Sequence, residues 1–530
     1  MTVGDFIRGR CKMSQNRAEW SNKLVFILAT AGSAIGLGNI WRFPYVAGEN
    51  GGGAFVLIYI VCLFFIALPI MVAELSIGRA SQRSPVMAFK RLAGKAGKYW
   101  QVIGWLGIIA AFILISYYSV IGGWTIAYIF EAFKLGQVVL EKETAVTMFE
   151  QFTANPWNQV LWTWLFIGCG CGIIIRGIKS GIEAFNKVFI PGLFVMLLIL
   201  VGNALMCDGC KAGLTFIFYP DFSQVTPNTV LAAVGQAFFS LSVGMGAILT
   251  YGSYLSQRED LIKTGSIVAV MLVAVALLAS IAIFPVLFTF GLSPEQGPGL
   301  TFITLPVAFA KFGSILGPAL GALFFLMLFV AALTSVISII EPVVSHIVDN
   351  NIASRVKGTI FVGITAGLLA IPSALSFGGN SFFSSKIFFG KTFFELADFL
   401  VADNLLPICG FCMALFVLFV MSRKTRHRQV CWFYNLWKYL LPLAGLSVVI
   451  VYFNEINEKY KEHQDPAWFI AGFILITSVC ILAYLTRGAG NEVVLDHEID
   501  APCPGECEQE HEETNTQINE TPDQDNHPGK

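Results

Sequence analysis

Apolar stretches of about twenty residues, nearly free of charge, recur along the whole of this 530-residue chain. A bilayer core of ~30 Å is crossed by about 20 apolar residues in helical form. Inside it every backbone N–H and C=O must be satisfied within the protein, which favours helices for runs of this length. Composition agrees: 55% of residues are hydrophobic and 13% charged, against roughly a quarter charged in soluble domains. Twelve spans are read, near residues 24–49, 54–80, 100–131, 158–175, 183–205, 227–256, 264–291, 312–347, 356–374, 394–421, 433–453 and 467–486. The expected fold class is therefore an all-α polytopic membrane protein with twelve transmembrane helices. A net charge of −1 and the lack of a dense Lys/Arg cluster give no support for nucleic acid; the surrounding partner is membrane lipid. No nucleotide-binding loop or nucleophile–base spacing suggests an enzyme, and no continuous filter suggests a channel.

Orientation follows from the basic residues. Arg8, Arg10, Lys12, Arg17 and Lys23 precede span one; Arg79 to Lys98 join spans two and three; Arg423 to Arg428 follow span ten. All fall on one side if both termini are cytoplasmic. The chain then divides into a cytoplasmic segment (1–23), a core of ten helices (24–421), two further helices (422–487) and an acidic tail (488–530). The tail is too polar to bury a core and is expected to be disordered. Residues 1–23 are polar and cationic and the run after them is long enough to span, so span one is read as an uncleaved insertion signal. Cys207 and Cys210 fall in a loop placed outside the cytoplasm, where their spacing and compartment admit a disulfide. The short loop between spans three and four lacks glycosylation sequons, which favours a bacterial inner membrane.

Spans one and six are each interrupted near the middle by small residues, Ala31-Gly-Ser-Ala-Ile-Gly-Leu-Gly38 and Ser240-Leu-Ser-Val-Gly-Met-Gly246. One such motif is explained by close helix packing. A matched pair, five spans apart, marks discontinuous helices in an inverted-repeat transporter. Backbone freed by such breaks must be satisfied by protein or a polar ligand. Freed carbonyls suit a hard cation such as Na⁺, and freed N–H groups at a half-helix start attract a carboxylate. The hydroxyls of Ser33, Ser240, Ser242, Thr334 and Ser335 supply further oxygens without adding charge.

Three stretches closely resemble signatures of the neurotransmitter:sodium symporter family. They are Gly36-Leu-Gly-Asn-Ile-Trp-Arg-Phe-Pro-Tyr45 with Glu49-Asn-Gly-Gly-Gly-Ala-Phe55, Gly235-Gln-Ala-Phe-Phe-Ser-Leu-Ser-Val-Gly-Met-Gly246, and Ala331-Ala-Leu-Thr-Ser335. The likeness runs over roughly residues 15–420. It implies the leucine-transporter fold, two inverted five-helix repeats working by alternating access. It implies a sodium site (Na2) of the Gly32, Ile35 and Ala331 carbonyls with the Thr334 and Ser335 hydroxyls. It implies a second (Na1) from Ala34, Asn39, Ser240 and the substrate carboxylate. The family's span-seven Asn or Asp ligand of Na1 falls on Leu272, which cannot ligate sodium, so that site is incomplete. Four residues on, Ala276 stands where relatives carry a carboxylate or a chloride-binding serine. Tyr59, Gln236 and Ser240 of the chloride environment are present, and chloride dependence is left open. Glu74 is a membrane-embedded carboxylate close to this region, with a functional and a structural role both expected.

Amine-carrying relatives place an Asp in the first break, where this chain has Gly36. The resemblance therefore implies a small ligand bringing its own carboxylate, an amino acid. Its carboxylate would meet the Gly38 N–H and Tyr118 hydroxyl, and its ammonium carbonyls near Ser33, Phe239 and Ser242. Phe239, Met245 and Ile339 would shape an apolar pocket for a neutral, hydrophobic side chain, with Phe239 as lid. Arg42 and Asp398 are implied as an outer gate, and Arg17 with Asp349 as an inner one beside Trp20 and Tyr254. Sodium-coupled symport is the leading expectation. A proton- or other cation-coupled carrier, encouraged by Leu272, and a substrate sensor are the alternatives.

Overall fold

The structure is a computed structural model describing residues 19–135, 141–256, 259–292, 299–378, 382–385 and 391–421. Spans eleven and twelve, the acidic tail and Arg17 lie outside them. The first ten expected spans are helical, and no strand longer than an isolated bridge occurs among the described residues. Eight are continuous: Gly53–Ser81 (span two), Gly94–Ala132 (three), Pro156–Ile175 (four), Ile178–Leu205 (five), Leu261–Thr289 (seven), Leu316–Asp349 (eight), Arg355–Leu375 (nine) and Phe393–Val420 (ten). Span one is broken into Lys23–Ala34 and Gly38–Glu49, bent by 54°. Span six is broken into Pro227–Leu241 and Ala247–Gly252.

Helix starts follow local chemistry. Asn22, Asn155, Thr226, Asp260 and Ser354 are N-caps whose side chains accept from the first-turn N–H groups of spans one, four, six, seven and nine. Pro156 and Pro227 follow two of these caps, where a missing N–H costs nothing. The caps bring polar backbone ends to the margins of otherwise apolar rods.

Neighbour relations reveal the repeat. Span two packs on the second half of span six, and span seven on span one. Span ten packs on spans two, three and six, and span five on spans seven, eight and one. Span three packs on span nine, and span eight on span four. Exchanging each of spans one to five with the span five places later, and the reverse, turns one member of every pair into the other, as two equivalent five-helix units require. Spans three and eight pack on each other at the centre, and 78% and 83% of their most apolar windows are buried. Span five is peripheral, with 33% buried, and turns Val188, Val195, Leu198 and Ile199 outward. Those side chains suit lipid, in which outward apolar surface carries no penalty. The two broken helices are thus held inside a scaffold of continuous ones.

Candidate functional site

At each break the helical hydrogen-bond pattern stops. At span one, the Ile35 N–H still reaches back to the Ala31 carbonyl (2.6 Å), but the Gly36 N–H turns to Ala34 (3.0 Å) and the helix stops. At span six, Ser242, Gly244 and Gly246 have φ of 53°, 95° and 76°. Glycine takes this left-handed region freely, and the non-glycine Ser242 there is a local strain. A Cβ at Gly244 would lie 2.2 Å from the Leu406 carbonyl oxygen, so only glycine fits against span ten. The Gly244 N–H donates to Glu74 Oε1 (2.5 Å), with Glu74 wholly buried on span two. Glu74 therefore has a direct structural role, supplying a partner to backbone that the break leaves exposed.

The breaks and span eight are tied together at the Ser33 carbonyl, which accepts from Ser242 Oγ (3.0 Å) and Ser335 Oγ (3.2 Å). Ser33 Oγ donates to Ser338 Oγ (2.7 Å), a partner the sequence did not single out. Of the residues expected at Na2, Ile35, Ala331 and Thr334 meet. Thr334 Oγ1 lies 2.8 Å from the Ala331 carbonyl and 3.5 Å from that of Ile35. Those expected at Na1 also converge: Asn39 Nδ2 donates to the Ala34 carbonyl (2.7 Å), and Gln236 Nε2 bridges Ser240 Oγ (3.2 Å) and the Gly38 carbonyl (2.7 Å). Asn39 Oδ1 is buried without a hydrogen-bond partner. Leu272 and Ala276 are wholly buried and bring no oxygen from their side chains.

A narrow cavity lies against both breaks. Of the expected substrate residues, Gly36, Gly38, Tyr118, Phe239, Ser242, Met245 and Ile339 line it, and Ser33 does not. The Ser33 carbonyl is instead taken up by the two hydroxyls just described. Leu114 and Leu406 are additional lining residues. Nothing in an apolar span's pattern distinguishes such a wall residue from one facing lipid. The cavity has a polar end, where the Leu37 N–H is 3.5 Å from the Tyr118 hydroxyl, and an apolar remainder.

Two polar and aromatic clusters hold the expected gate residues. Arg42 sits over the Phe239 ring (5.0 Å), donates to Gln236 Oε1 (3.3 Å) and hydrogen-bonds Tyr45, which lies in the field of both Arg42 and Asp398. At the start of span one, Trp20 Nε1 donates to the Tyr251 carbonyl (3.0 Å) and its ring meets Tyr251 and Tyr254. Tyr254 donates to Glu341 Oε1 (2.7 Å), and Arg355 holds the same buried carboxylate through both nitrogens (3.1 and 2.5 Å). Glu341 and Arg355 were not singled out in the sequence, because nothing there pairs a span-eight Glu with a span-nine Arg. Asp349 Oδ2 accepts from the Ser84 N–H (2.6 Å); its expected partner Arg17 is outside the described residues. Cys207 and Cys210 are free thiols.

Comparison with known proteins matches the family model described as the sodium:neurotransmitter symporter family over residues 17–138 and 146–487. The chain belongs to that family. It is 35% identical over 456 residues to an uncharacterized sodium-dependent transporter of Bacillus subtilis, covering 84% of this chain and 98% of that protein. An uncharacterized sodium-dependent transporter of Methanocaldococcus jannaschii is 33% identical over 501 residues, covering 89% and 97%. The crystal structure of MhsT in complex with L-phenylalanine superposes with a TM-score of 0.75 at 40% identity, covering 83% of this chain and 99% of that one. The leucine-transporter fold, with discontinuous helices one and six, is thereby established. The protein is a multi-pass membrane transporter coupled to sodium, not an enzyme.

Proposed function

We propose that this protein is a symporter that carries a neutral, hydrophobic amino acid into the cell with sodium by alternating access. The observation that carries the reading is the cavity's division into a polar end, at Tyr118 and the span-one break, and an apolar wall of Leu114, Met245, Ile339 and Leu406. An α-carboxylate suits the first and an apolar side chain the second. The phenylalanine bound to MhsT belongs to the same chemical class. Phe239, under Arg42, serves as the lid.

Na2 is the sodium site supported here, since its carbonyls and hydroxyls come from two elements already in contact at 3.5 Å. Na1 lacks an oxygen at Leu272, so one sodium per cycle is the proposed stoichiometry, with no assigned chloride. The gates are the Arg42–Asp398 side and the Trp20–Tyr254–Asp349 side, the latter joined by Glu341 and Arg355. The proposed location is the cell inner (plasma) membrane, with both termini in the cytoplasm.

Proteoliposome uptake of labelled phenylalanine, competed by each neutral amino acid, tests the substrate class. Replacing sodium by choline should abolish uptake, with a Hill coefficient near one in sodium. Undiminished uptake in choline would sink sodium coupling in favour of a proton or other cation, the reading that Leu272 favours. Leu272→Asn is expected to strengthen sodium dependence by completing Na1; a Hill coefficient near two in the unaltered protein would overturn the single-sodium proposal.

A further inference from the structure

Span five carries a polar side chain that the site as described leaves unused. Asn186 is 1% exposed, inside a helix that otherwise turns much of its surface outward. Its Nδ2 donates to the Ile182 carbonyl one turn earlier (2.9 Å), which fixes the amide and directs Oδ1 off the helix. Oδ1 is buried with no hydrogen-bond partner. A buried acceptor left alone costs ~1–3 kcal/mol, so an electropositive partner is what such a group lacks.

Oδ1 faces the break in span one. A Cβ built at Gly32 would lie 2.2 Å from Asn186 Oδ1 and 3.2 Å from its Cγ, so only glycine at 32 admits the amide there. Ile190, one turn further along span five, closes on the same point, its Cδ1 3.0 Å from that Cβ. Span five is anchored to span one nearby: buried Glu183 accepts from both the Ser21 N–H (2.8 Å) and the Ser21 hydroxyl (2.7 Å). The amide oxygen is thus held, dry and unsatisfied, against the residue whose carbonyl belongs to the proposed Na2 set. An amide oxygen is a hard, neutral ligand, the type that alkali and alkaline-earth cations prefer.

We propose that Asn186 Oδ1 supplies a further oxygen to the transported sodium ion, meeting it on the span-five side of the cage formed by Gly32, Ile35, Ala331, Thr334 and Ser335. The proposal rests on the Na2 reading, and the test separates the two. ²²Na⁺ binding is measured on the purified full-length chain without amino acid, comparing the unaltered protein with Asn186→Leu, Asn186→Asp and Thr334→Val. Asn186→Leu should raise the half-saturating sodium concentration about five-fold, the worth of one ~1 kcal/mol contact. Asn186→Asp keeps the oxygen and should bind sodium at least as tightly as the unaltered protein, which also guards against a mere folding defect. Thr334→Val should weaken binding in its own right. If Thr334→Val weakens binding and Asn186→Leu does not, the asparagine proposal fails alone. If Thr334→Val leaves binding unchanged, the Na2 reading fails and takes the proposal with it. Equal weakening by Leu and Asp would assign Asn186 to packing and overturn the ligand role.

Discussion

At Gly36 the nearest neighbours of a built Cβ are Ser335 Oγ at 2.2 Å and the Tyr118 hydroxyl at 3.1 Å. With Ser335 and Tyr118 where they stand, a side chain at this position forces one of them to move, and this chain carries no aspartate there to meet the ligand. Gly36→Ala should cut uptake by roughly 10- to 100-fold, because overpacking a filled site costs ~1–3 kcal/mol. Uptake within two-fold of the unaltered protein, from a variant that elutes as a folded particle, would show that the site yields more easily than its contacts suggest. Gly38 is constrained in the same way by the Phe239 ring, 2.5 Å from its built Cβ. Here the sequence was explicit about residue type, but only neighbours from spans three, six and eight explain why glycine is required.

At the scale of the helices, the break in span six depends on a carboxylate from span two. Glu74 Oε1 receives the Gly244 N–H, and without that acceptor the unwound turn keeps a buried donor unsatisfied. Glu74→Gln retains an acceptor and should keep most uptake. Glu74→Leu should abolish it, with a loss of ~1–3 kcal/mol in stability, read together by uptake and thermal unfolding in detergent. Equal behaviour of the two variants would mean that charge, not the hydrogen bond to Gly244, is what Glu74 contributes. The sequence presented Glu74 as an expensive residue in an apolar run. Which of its roles applies depended on what lay across from it.

For the molecule as a whole, the alternating access proposed above would require the clusters at Arg42 and at Trp20 to open in turn. The cluster at Trp20 is built by contacts from spans one, six, eight and nine, joined by the Glu341–Arg355 ion pair. Glu341 is fully buried and the Arg355 side chain 22% exposed. Removing one partner of such a pair strands the other, at ~3–5 kcal/mol for a fully buried pair. Partial exposure puts Glu341→Gln near the lower end. The double variant Glu341→Gln, Arg355→Gln should recover much of that loss in thermal unfolding. A double variant no more stable than the single would show that the two residues act independently.

By itself the sequence determined the positions of the first ten spans, the pair of breaks and most of the residues around the cavity. Span length and glycine position are local properties, dictated by bilayer thickness and by backbone sterics. The motifs surrounding the breaks were long enough to carry the family resemblance, and Leu272 marked the missing oxygen without any coordinates. Contacts between distant residues were decided only by tertiary structure. Leu114 and Leu406 look like lipid-facing residues until the helices pack, and the Ser33 carbonyl meets the hydroxyls of Ser242 and Ser335 only in the folded chain. Glu341 and Arg355 become partners, and Asn186 a neighbour of Gly32, only when helices far apart in the chain meet. In an apolar span, hydropathy shows that a polar residue is costly. Its partner, and hence its purpose, is set by the helix packed against it.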